Sequence, residues 1–195
     1  MKEIVVATNN LGKVKEIKAL LKPLDIKVLS LKDVFDEEID IEENGTTFKE
    51  NALIKAKAIS QMIHKIVLAD DSGLEVDAMD KGPGIYSARF LGKDTSYEVK
   101  NQYIIDQVKD KVKTARFVCA MALVIPNQED IIIEETMEGL IHHEIVGNNG
   151  FGYDPIFYFP ACKKTSASMT LEEKNTYSHR AKALKKLINK LEEIL

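Results

Sequence analysis

The opening segment of the chain, up to Pro23, constrains the fold more than any other stretch because its hydrophobic period changes abruptly. Ile4–Ala7 is a short apolar run with β-branched residues, which is typical of a buried strand. Polar and turn-forming residues follow, and from Lys13 the apolar residues recur at helical spacing until Pro23 ends the pattern. We therefore predict a strand, a polar loop and a helix in that order, as in α/β proteins.

The rest of the chain continues this mixture of short apolar runs and amphipathic segments. We predict strands at 27–31, 66–69, 74–79, 116–125 and 131–145, the last two forming an antiparallel pair, and helices at 48–63, 95–112 and from Ser178 onward. Thr170 and Glu173 have the spacing of a capping box, which predicts a further short helix. Because no repeat, low-complexity segment or linker interrupts the pattern, we expect one domain over residues 1–195.

Composition excludes several classes of protein. A length of 195 residues suits a single core, and a net charge of −4 argues against a general nucleic-acid binder. The longest apolar stretch, Phe117 to Ile125, is much shorter than the ~20 residues of a membrane helix. Cys119 and Cys162 provide no disulfide framework. We expect a cytoplasmic protein that binds neither nucleic acid nor membrane.

The polar loop after the first strand has the composition of a phosphate site. It consists of Thr8, Asn9, Asn10, Leu11, Gly12 and Lys13. Short side chains and a glycine allow backbone N–H groups to converge, and the following helix N-terminus and Lys13 add positive charge. The alternative is an ordinary strand-to-helix turn with a solvated lysine.

Two adjacent carboxylates, Asp70 and Asp71, come directly after the predicted strand at 66–69. Ligands bind at the carboxyl ends of strands in open α/β sheets, and Mg²⁺ is normally held by one or two carboxylates together with substrate phosphates. The acidic segment 41–45 offers a second carboxylate. The alternative is an Asx-type turn that begins at Asp71 and includes Ser72.

Aromatic residues between glycines characterise a later loop, Gly150–Pro155. An exposed Phe151 in that loop would be covered by a flat ligand such as a purine base, although it could instead pack on a small satellite core. Arg180 lies in the first turn of the last helix, where a cation opposes the helix dipole, which suggests an anionic or aromatic partner.

A histidine pair, His142 and His143, lies in the predicted strand at 131–145. Neighbouring strand residues face opposite sides of a sheet. We therefore expect that these two histidines do not form a joint metal site.

Six motifs follow one another across nearly the whole chain: ATNNLGK at 7–13, ENGTTFKENA at 43–52, ADDSGL at 69–74, GPGIYSAR at 82–89, GFGYDPIF at 150–157 and SHRAKAL at 178–184. In sequence and order they closely resemble the inosine/xanthosine triphosphate pyrophosphatases. The resemblance implies an α/β fold with a long, curved, mixed β-sheet flanked by helices, and two lobes with a nucleotide cleft between them. It also implies a homodimer that requires Mg²⁺.

The resemblance assigns roles to individual residues. Asp71 is expected to be the general base and a metal-linked carboxylate, and Glu42 the second metal ligand, with Glu43 as the alternative. The residues expected to hold the triphosphate and sugar are Thr8 to Lys13, Ser72 and Lys174. Those expected to form the base pocket are Phe151, Gly152, Tyr153, Asp154, His179 and Arg180.

The implied reaction is hydrolysis of non-standard purine nucleoside triphosphates (ITP, dITP and XTP) to the monophosphate and pyrophosphate, which removes them from the nucleotide pool. We expect His179 or a nearby backbone N–H to read the 6-oxo group, while Phe151 and Arg180 stack on the base. A preference for modified pyrimidine triphosphates, and a nucleotide sensor without catalysis, are the alternative functions.

Overall fold

The computed structural model describes residues 2–24 and 26–194, with side chains for residues 3–24 and 26–190. Within these residues, no helix has both the length and the hydrophobicity that crossing a membrane requires.

A mixed β-sheet with helices forms the framework of the described chain. Its strands are β1 (Lys2–Val6), β2 (Ile26–Ser30), β3 (Val67–Val76), β4 (Thr114–Val124), β5 (Ile131–Ile141), β6 (Phe157–Phe159) and β7 (Lys164–Thr165). The sheet order is β2-β1-β3-β4-β5-β6-β7. β1 is parallel to β2 and to β3, whereas β6 is antiparallel to β5 and to β7. This arrangement confirms the predicted α/β class with a mixed sheet.

The helices are α1 (Leu11–Leu21), α2 (Phe48–Ile63), α3 (Tyr97–Gln107), α4 (Leu171–Tyr177) and α5 (His179–Ile194). The predicted bounds of α2 are confirmed, and the Thr47 hydroxyl caps its N-terminus by accepting a hydrogen bond from the Glu50 N–H (3.1 Å). The predicted capping box of Thr170 and Glu173 is also confirmed at the start of α4.

One predicted boundary, at Asp70, is wrong. The strand does not end there, because β3 continues through Asp70 and Asp71 to Val76. β3 pairs with β1 at Val67 and Leu68, and β4 is its neighbour on the other side. The predicted separate strand at 74–79 is therefore the end of β3 followed by a turn of 3₁₀ helix.

The chain divides into two compact units. Unit 1 comprises the described residues through Asp71, residues 119–135 and the residues from Arg180 onward; unit 2 comprises residues 72–118 and 136–179. Each has an apolar core of its own. The core of unit 1 includes Val6, Ile17, Leu68, Met121 and Leu184, and that of unit 2 includes Leu74, Ile104, Met137, Ile156 and Phe157.

Candidate functional site

The loop between β1 and α1 is stabilised by hydrogen bonds that its own polar side chains accept from its backbone. Thr8 Oγ1 accepts from the Asn10 N–H (3.1 Å), and Asn10 Oδ1 accepts from the Lys13 N–H (3.1 Å), which caps α1. Leu11 is 67% exposed at the first helical position, and Gly12 beside it is half-buried. The loop therefore presents a helix N-terminus with its partial positive charge.

Asp70 is a fully buried carboxylate that binds two cations. Lys13 Nζ lies 2.5 Å from Asp70 Oδ1, Arg180 Nε lies 2.8 Å from Oδ2, and Cys119 Sγ donates to Oδ2 (3.1 Å). Arg180 also forms an ion pair with Glu16. Burial alone would raise the pKa of Asp70, but Arg180 and Lys13 hold that pKa well below the usual range. Asp70 is thus a fixed anion that orders the surrounding cations.

Asp71 follows in β3, so its side chain points away from that of Asp70. It is 6% exposed, and its Oδ2 has no hydrogen-bond partner among the described residues. Burial raises the pKa of Asp71 to about 6. The ammonium groups of Lys55 and Lys13 lower this pKa, whereas Glu43 and Asp70 raise it. At neutral pH the carboxylate is ionised yet close to its pKa, as a general base should be.

Glu43, rather than Glu42, is the second carboxylate near Asp71. Lys55 Nζ, on α2, lies 2.6 Å from Glu43 Oε1 and 3.0 Å from the Asp70 carbonyl oxygen, which places Glu43 next to this part of β3. Glu42 is exposed and makes no hydrogen bond or ion pair with the described residues. The expectation that Glu42 is the second metal ligand stays a prediction, and the structure places its alternative, Glu43, beside Lys55.

The segment that contains Glu43 is fixed by two asparagines. The Gly45 N–H donates to Asn51 Oδ1 (2.9 Å), and a Cβ at Gly45 would lie 2.7 Å from that oxygen, so the close approach requires glycine. Asn9 Nδ2, from the β1–α1 loop, donates to the Ile39 carbonyl (2.9 Å). The β1–α1 loop and the acidic segment are thus held against each other within unit 1.

The residues around Asp71 fit a divalent cation. Asp71 and Glu43 offer carboxylate oxygens, the ligands that Mg²⁺ prefers. The buried Oδ2 of Asp71, which has no other partner among the described residues, is a free coordination position. A cation there would offset the cost of burying this carboxylate.

In unit 2, the predicted base loop is organised by an ion pair. The Phe151 N–H donates to Asp154 Oδ2 (2.9 Å), and Lys174 Nζ lies 2.6 Å from the same oxygen. Lys174 Nζ also lies 5.1 Å from the centre of the Phe151 ring. Gly152 has a φ of +66°, which favours glycine, and Tyr153 beside it is buried. Phe151 and the ion pair therefore form one rigid polar and aromatic group.

Two residues expected to hold the triphosphate and sugar lie in unit 2. Lys174 pairs with Asp154 beside Phe151, so the structure groups it with the base loop, and its expected triphosphate role stays a prediction. Ser72 continues β3 directly after Asp71 and is half-buried.

The remaining two predicted base-pocket residues, His179 and Arg180, have different surroundings. The His179 ring is 4% exposed and stacks on Phe117 in unit 2, with ring centres 4.9 Å apart. Arg180 is 1% exposed, and its guanidinium binds Asp70 and Glu16 in unit 1. The expectation that Arg180 stacks on the base is wrong, because its guanidinium has almost no exposed face.

The histidine pair also departs from expectation. β5 ends at Ile141, so His142 and His143 lie beyond the strand, and their ring centres are only 4.2 Å apart. Together with Glu144 they bring three potential ligand atoms within 4.8 Å of one another. The prediction that the two side chains point apart is wrong, because strand alternation does not extend past Ile141.

Comparison with known proteins shows the family of the chain. The sequence model of the Ham1 family matches residues 4–190. The chain belongs to the Ham1 family. It is 50% identical over 190 residues to a dITP/XTP pyrophosphatase of Halalkalibacterium halodurans, covering 96% of this chain and 97% of that protein. It is 46% identical over 196 residues to the dITP/XTP pyrophosphatase of Bacillus subtilis, covering 98% of each.

Solved structures of Ham1 proteins have the same fold. The Staphylococcus aureus Ham1 protein is 39% identical and superposes with a TM-score of 0.88 over 100% of both chains. A nucleoside-triphosphatase, dITP/XTP pyrophosphatase from Mycobacterium abscessus is 38% identical, with a TM-score of 0.73 over 95% of this chain and 98% of that one.

The sequence argument missed Lys55 in this member of the Ham1 family. Lys55 lies three residues after Ala52 and four before Ile59, both of which are buried on α2. A lysine on a buried helical face needs an anionic partner, so its position was a usable signal. Glu16, by contrast, lies next to Lys15 in a polar part of the sequence and is only 4% exposed in the structure.

Proposed function

We propose that this chain hydrolyses non-standard purine nucleoside triphosphates (ITP, dITP and XTP) to the nucleoside monophosphate and pyrophosphate. The observation that carries the proposal is Asp71, a buried carboxylate with a pKa of about 6 beside Glu43, Lys55 and Lys13. The proposal is supported by the relatives that are named dITP/XTP pyrophosphatases and match nearly the full length of the chain.

The cofactor in this proposal is Mg²⁺, held by Asp71 and Glu43. The chemistry that Mg²⁺ supplies when bound is neutralisation of phosphate charge and polarisation of phosphoryl oxygens. Asp71 Oδ2 is the position that supports this assignment, because it is buried and lacks another partner among the described residues.

The reaction proceeds by attack of water on the α-phosphorus. Asp71 accepts a proton from the water while the water oxygen bonds to the α-phosphorus. The bond between the α-phosphorus and the α–β bridging oxygen then breaks and releases pyrophosphate. Lys13 and Lys55 keep N–H donors near Asp71 and offset the negative charge that grows on the leaving group. Asp70 and Arg180 keep Lys13 in place.

The base is bound by the group in unit 2. Phe151 stacks on the purine through its ring. His179 or a backbone N–H of the loop donates to the 6-oxo group, which adenine lacks. A site with buried donors for that oxygen rejects the wrong base by ~10⁴–10⁵ because its own groups would go unpaired.

A substrate panel with Mg²⁺ tests this function. ITP, dITP, XTP, GTP, ATP and a uridine analogue are compared, and pyrophosphate and orthophosphate are measured separately. The proposal expects pyrophosphate release that is fastest with ITP, dITP or XTP. Release of orthophosphate, a preference for the uridine analogue, or ITP binding without any product would contradict it.

We further propose that the protein is a cytoplasmic homodimer, as the family resemblance implies. Sedimentation equilibrium of the purified chain should give twice the mass of 21.9 kDa. A monomer at micromolar concentration would contradict the proposed assembly.

A further inference from the structure

The motif Gly82–Arg89 has no part in the chemistry proposed above, yet unit 2 holds its backbone firmly. The Tyr153 hydroxyl donates to the Ser87 carbonyl (2.7 Å), and Lys100 Nζ donates to the Ala88 carbonyl (2.8 Å). The first of these contacts joins the motif to the base loop, since Tyr153 follows Gly152. The second joins it to α3.

The burial of Lys100 is energetically unfavourable. It is 1% exposed, and its contacts are the Ala88 carbonyl and the face of the Tyr97 ring, 4.9 Å from Nζ. No carboxylate among the described residues forms an ion pair with it, and burial lowers its pKa. A buried ammonium without a counterion disfavours folding, so an apolar side chain of similar length would pack there more favourably.

Asn101, the next residue of α3, shows the same pattern. It is 2% exposed, and its Nδ2 donates to the Gly152 carbonyl (3.2 Å) in the base loop. Its Oδ1 is buried and has no hydrogen-bond partner among the described residues. An unsatisfied buried carbonyl costs free energy that a leucine of similar size would not incur.

Both hydrogen bonds end on residues outside the apolar core, since Ala88 is exposed and Gly152 is half-buried. Lys100 and Asn101, adjacent in α3, are buried at an energetic cost. They hydrogen-bond two segments that lie about 60 positions apart in the chain. Such local conflict with stability is typical of residues that serve function.

We propose that Lys100 and Asn101 are positioning residues that fix the Gly82–Arg89 motif and the base loop against each other, and thereby set the affinity for the nucleotide. The inference rests on the proposed function, because the base loop is the part of unit 2 assigned to the purine. Asn101 acts on Gly152, between Phe151 and Tyr153, so a change there moves the stacking ring.

The variants Lys100→Met and Asn101→Leu test this role, with the exposed neighbour changed in Gln102→Leu as the matched control. Loss of one positioning hydrogen bond should raise KM for ITP by about 5–30-fold. The value of kcat at saturating ITP should stay within about twofold, since Asp71 is untouched. The midpoint of thermal unfolding should be unchanged or higher, because each variant removes an unfavourable buried polar group.

Unchanged KM in both variants would overturn the inference. So would a lower unfolding midpoint together with a loss of kcat at constant KM, since that pattern marks a purely structural role. Each variant is measured separately, so that failure of one to fold leaves the other to decide. Wild-type and Gln102→Leu proteins that release no pyrophosphate from ITP would instead overturn the proposed function, and the positioning role with it.

Discussion

At the scale of single residues, the adjacent carboxylates of Asp70 and Asp71 differ because different charges face them. Asp70 meets Arg180 and Lys13 at hydrogen-bonding distance, so its pKa is held well below the usual range. Among the described residues, Asp71 Oδ2 has no such direct partner, and burial raises the pKa of Asp71 to about 6. One aspartate is therefore structural, and the other can exchange protons near neutral pH.

Asp71→Asn should lower kcat for ITP by at least ~10², because the general base is lost, while nucleotide affinity stays largely intact. Because Mg²⁺ bound to Asp71 lowers its pKa below the metal-free value of about 6, wild-type kcat/KM should fall only as pH drops below that value. Steady-state rates from pH 5 to 9 at fixed free Mg²⁺ measure both effects. A variant with near-normal turnover would remove Asp71 from the mechanism.

The same carboxylate should make stability depend on pH. Because its pKa is raised on folding, the folded chain holds a proton more tightly than the unfolded chain does. This contribution is fully present below the ordinary value of 3.8 and is lost as pH rises through about 6. Without metal at pH 8, Asp71→Asn should be more stable than wild type by up to about 3 kcal/mol. Urea unfolding in EDTA at pH 4 and pH 8 measures the difference, and an equal effect at both pH values would refute it.

Arg180 is predicted to matter for stability rather than for base stacking. Arg180→Met leaves the buried carboxylates of Asp70 and Glu16 without their shared cation. The free energy of unfolding should therefore fall by about 3–5 kcal/mol. Arg116→Met, which breaks a partly exposed pair with Glu75, is the matched control and should cost at most about 1 kcal/mol. Equal unfolding free energies for the two variants would contradict the network described here.

At the scale of elements, the loop Gly150–Asp154 depends on a position that only glycine fits. Gly150 has a φ of +75°, and a Cβ there would lie 2.1 Å from Asp154 Oδ2. The carboxylate must occupy that space to bind both Lys174 and the Phe151 N–H. The conformation of the loop and its ion pair are thus one structural unit.

Gly150→Ala should raise KM for ITP by at least about 10-fold, because displacing Asp154 breaks the ion pair beneath Phe151. Gly92→Ala is the matched control, since Gly92 also has a positive φ (+106°) but an added Cβ would lie 3.3 Å from Thr95 Oγ1, outside the loop and the Gly82–Arg89 motif. Comparing KM for ITP between the two variants by steady-state kinetics separates the effect of backbone strain from the effect of the clash with Asp154. Similar KM values in the two variants would show that the clash with Asp154 has no functional effect.

The elements differ in how far the sequence predicts them. The ends of α2 follow from apolar spacing, with Thr47 supplying its N-cap, so both bounds were predictable. The continuation of β3 through Asp70 and Asp71 was not, because two carboxylates lack the apolar signal of a strand. Their place in the strand depends on β4 alongside and on cations from other parts of unit 1.

At the scale of the whole molecule, motif order predicted the family and the fold, but pairwise contacts required coordinates. Arg180 binds Asp70 across 110 positions and Glu16 across 164, and no local pattern encodes such partners. Glu42 and Glu43 are adjacent in an irregular segment, so periodicity could not choose between them. In the structure Glu43 contacts Lys55, whereas Glu42 is exposed.

The most direct test of the central claim is the fate of the water oxygen during ITP hydrolysis in oxygen-18 water with Mg²⁺. Attack on the α-phosphorus predicts one labelled oxygen in inosine monophosphate and none in pyrophosphate, as measured by mass spectrometry. Label in pyrophosphate, or labelled orthophosphate as the main product, would contradict the account.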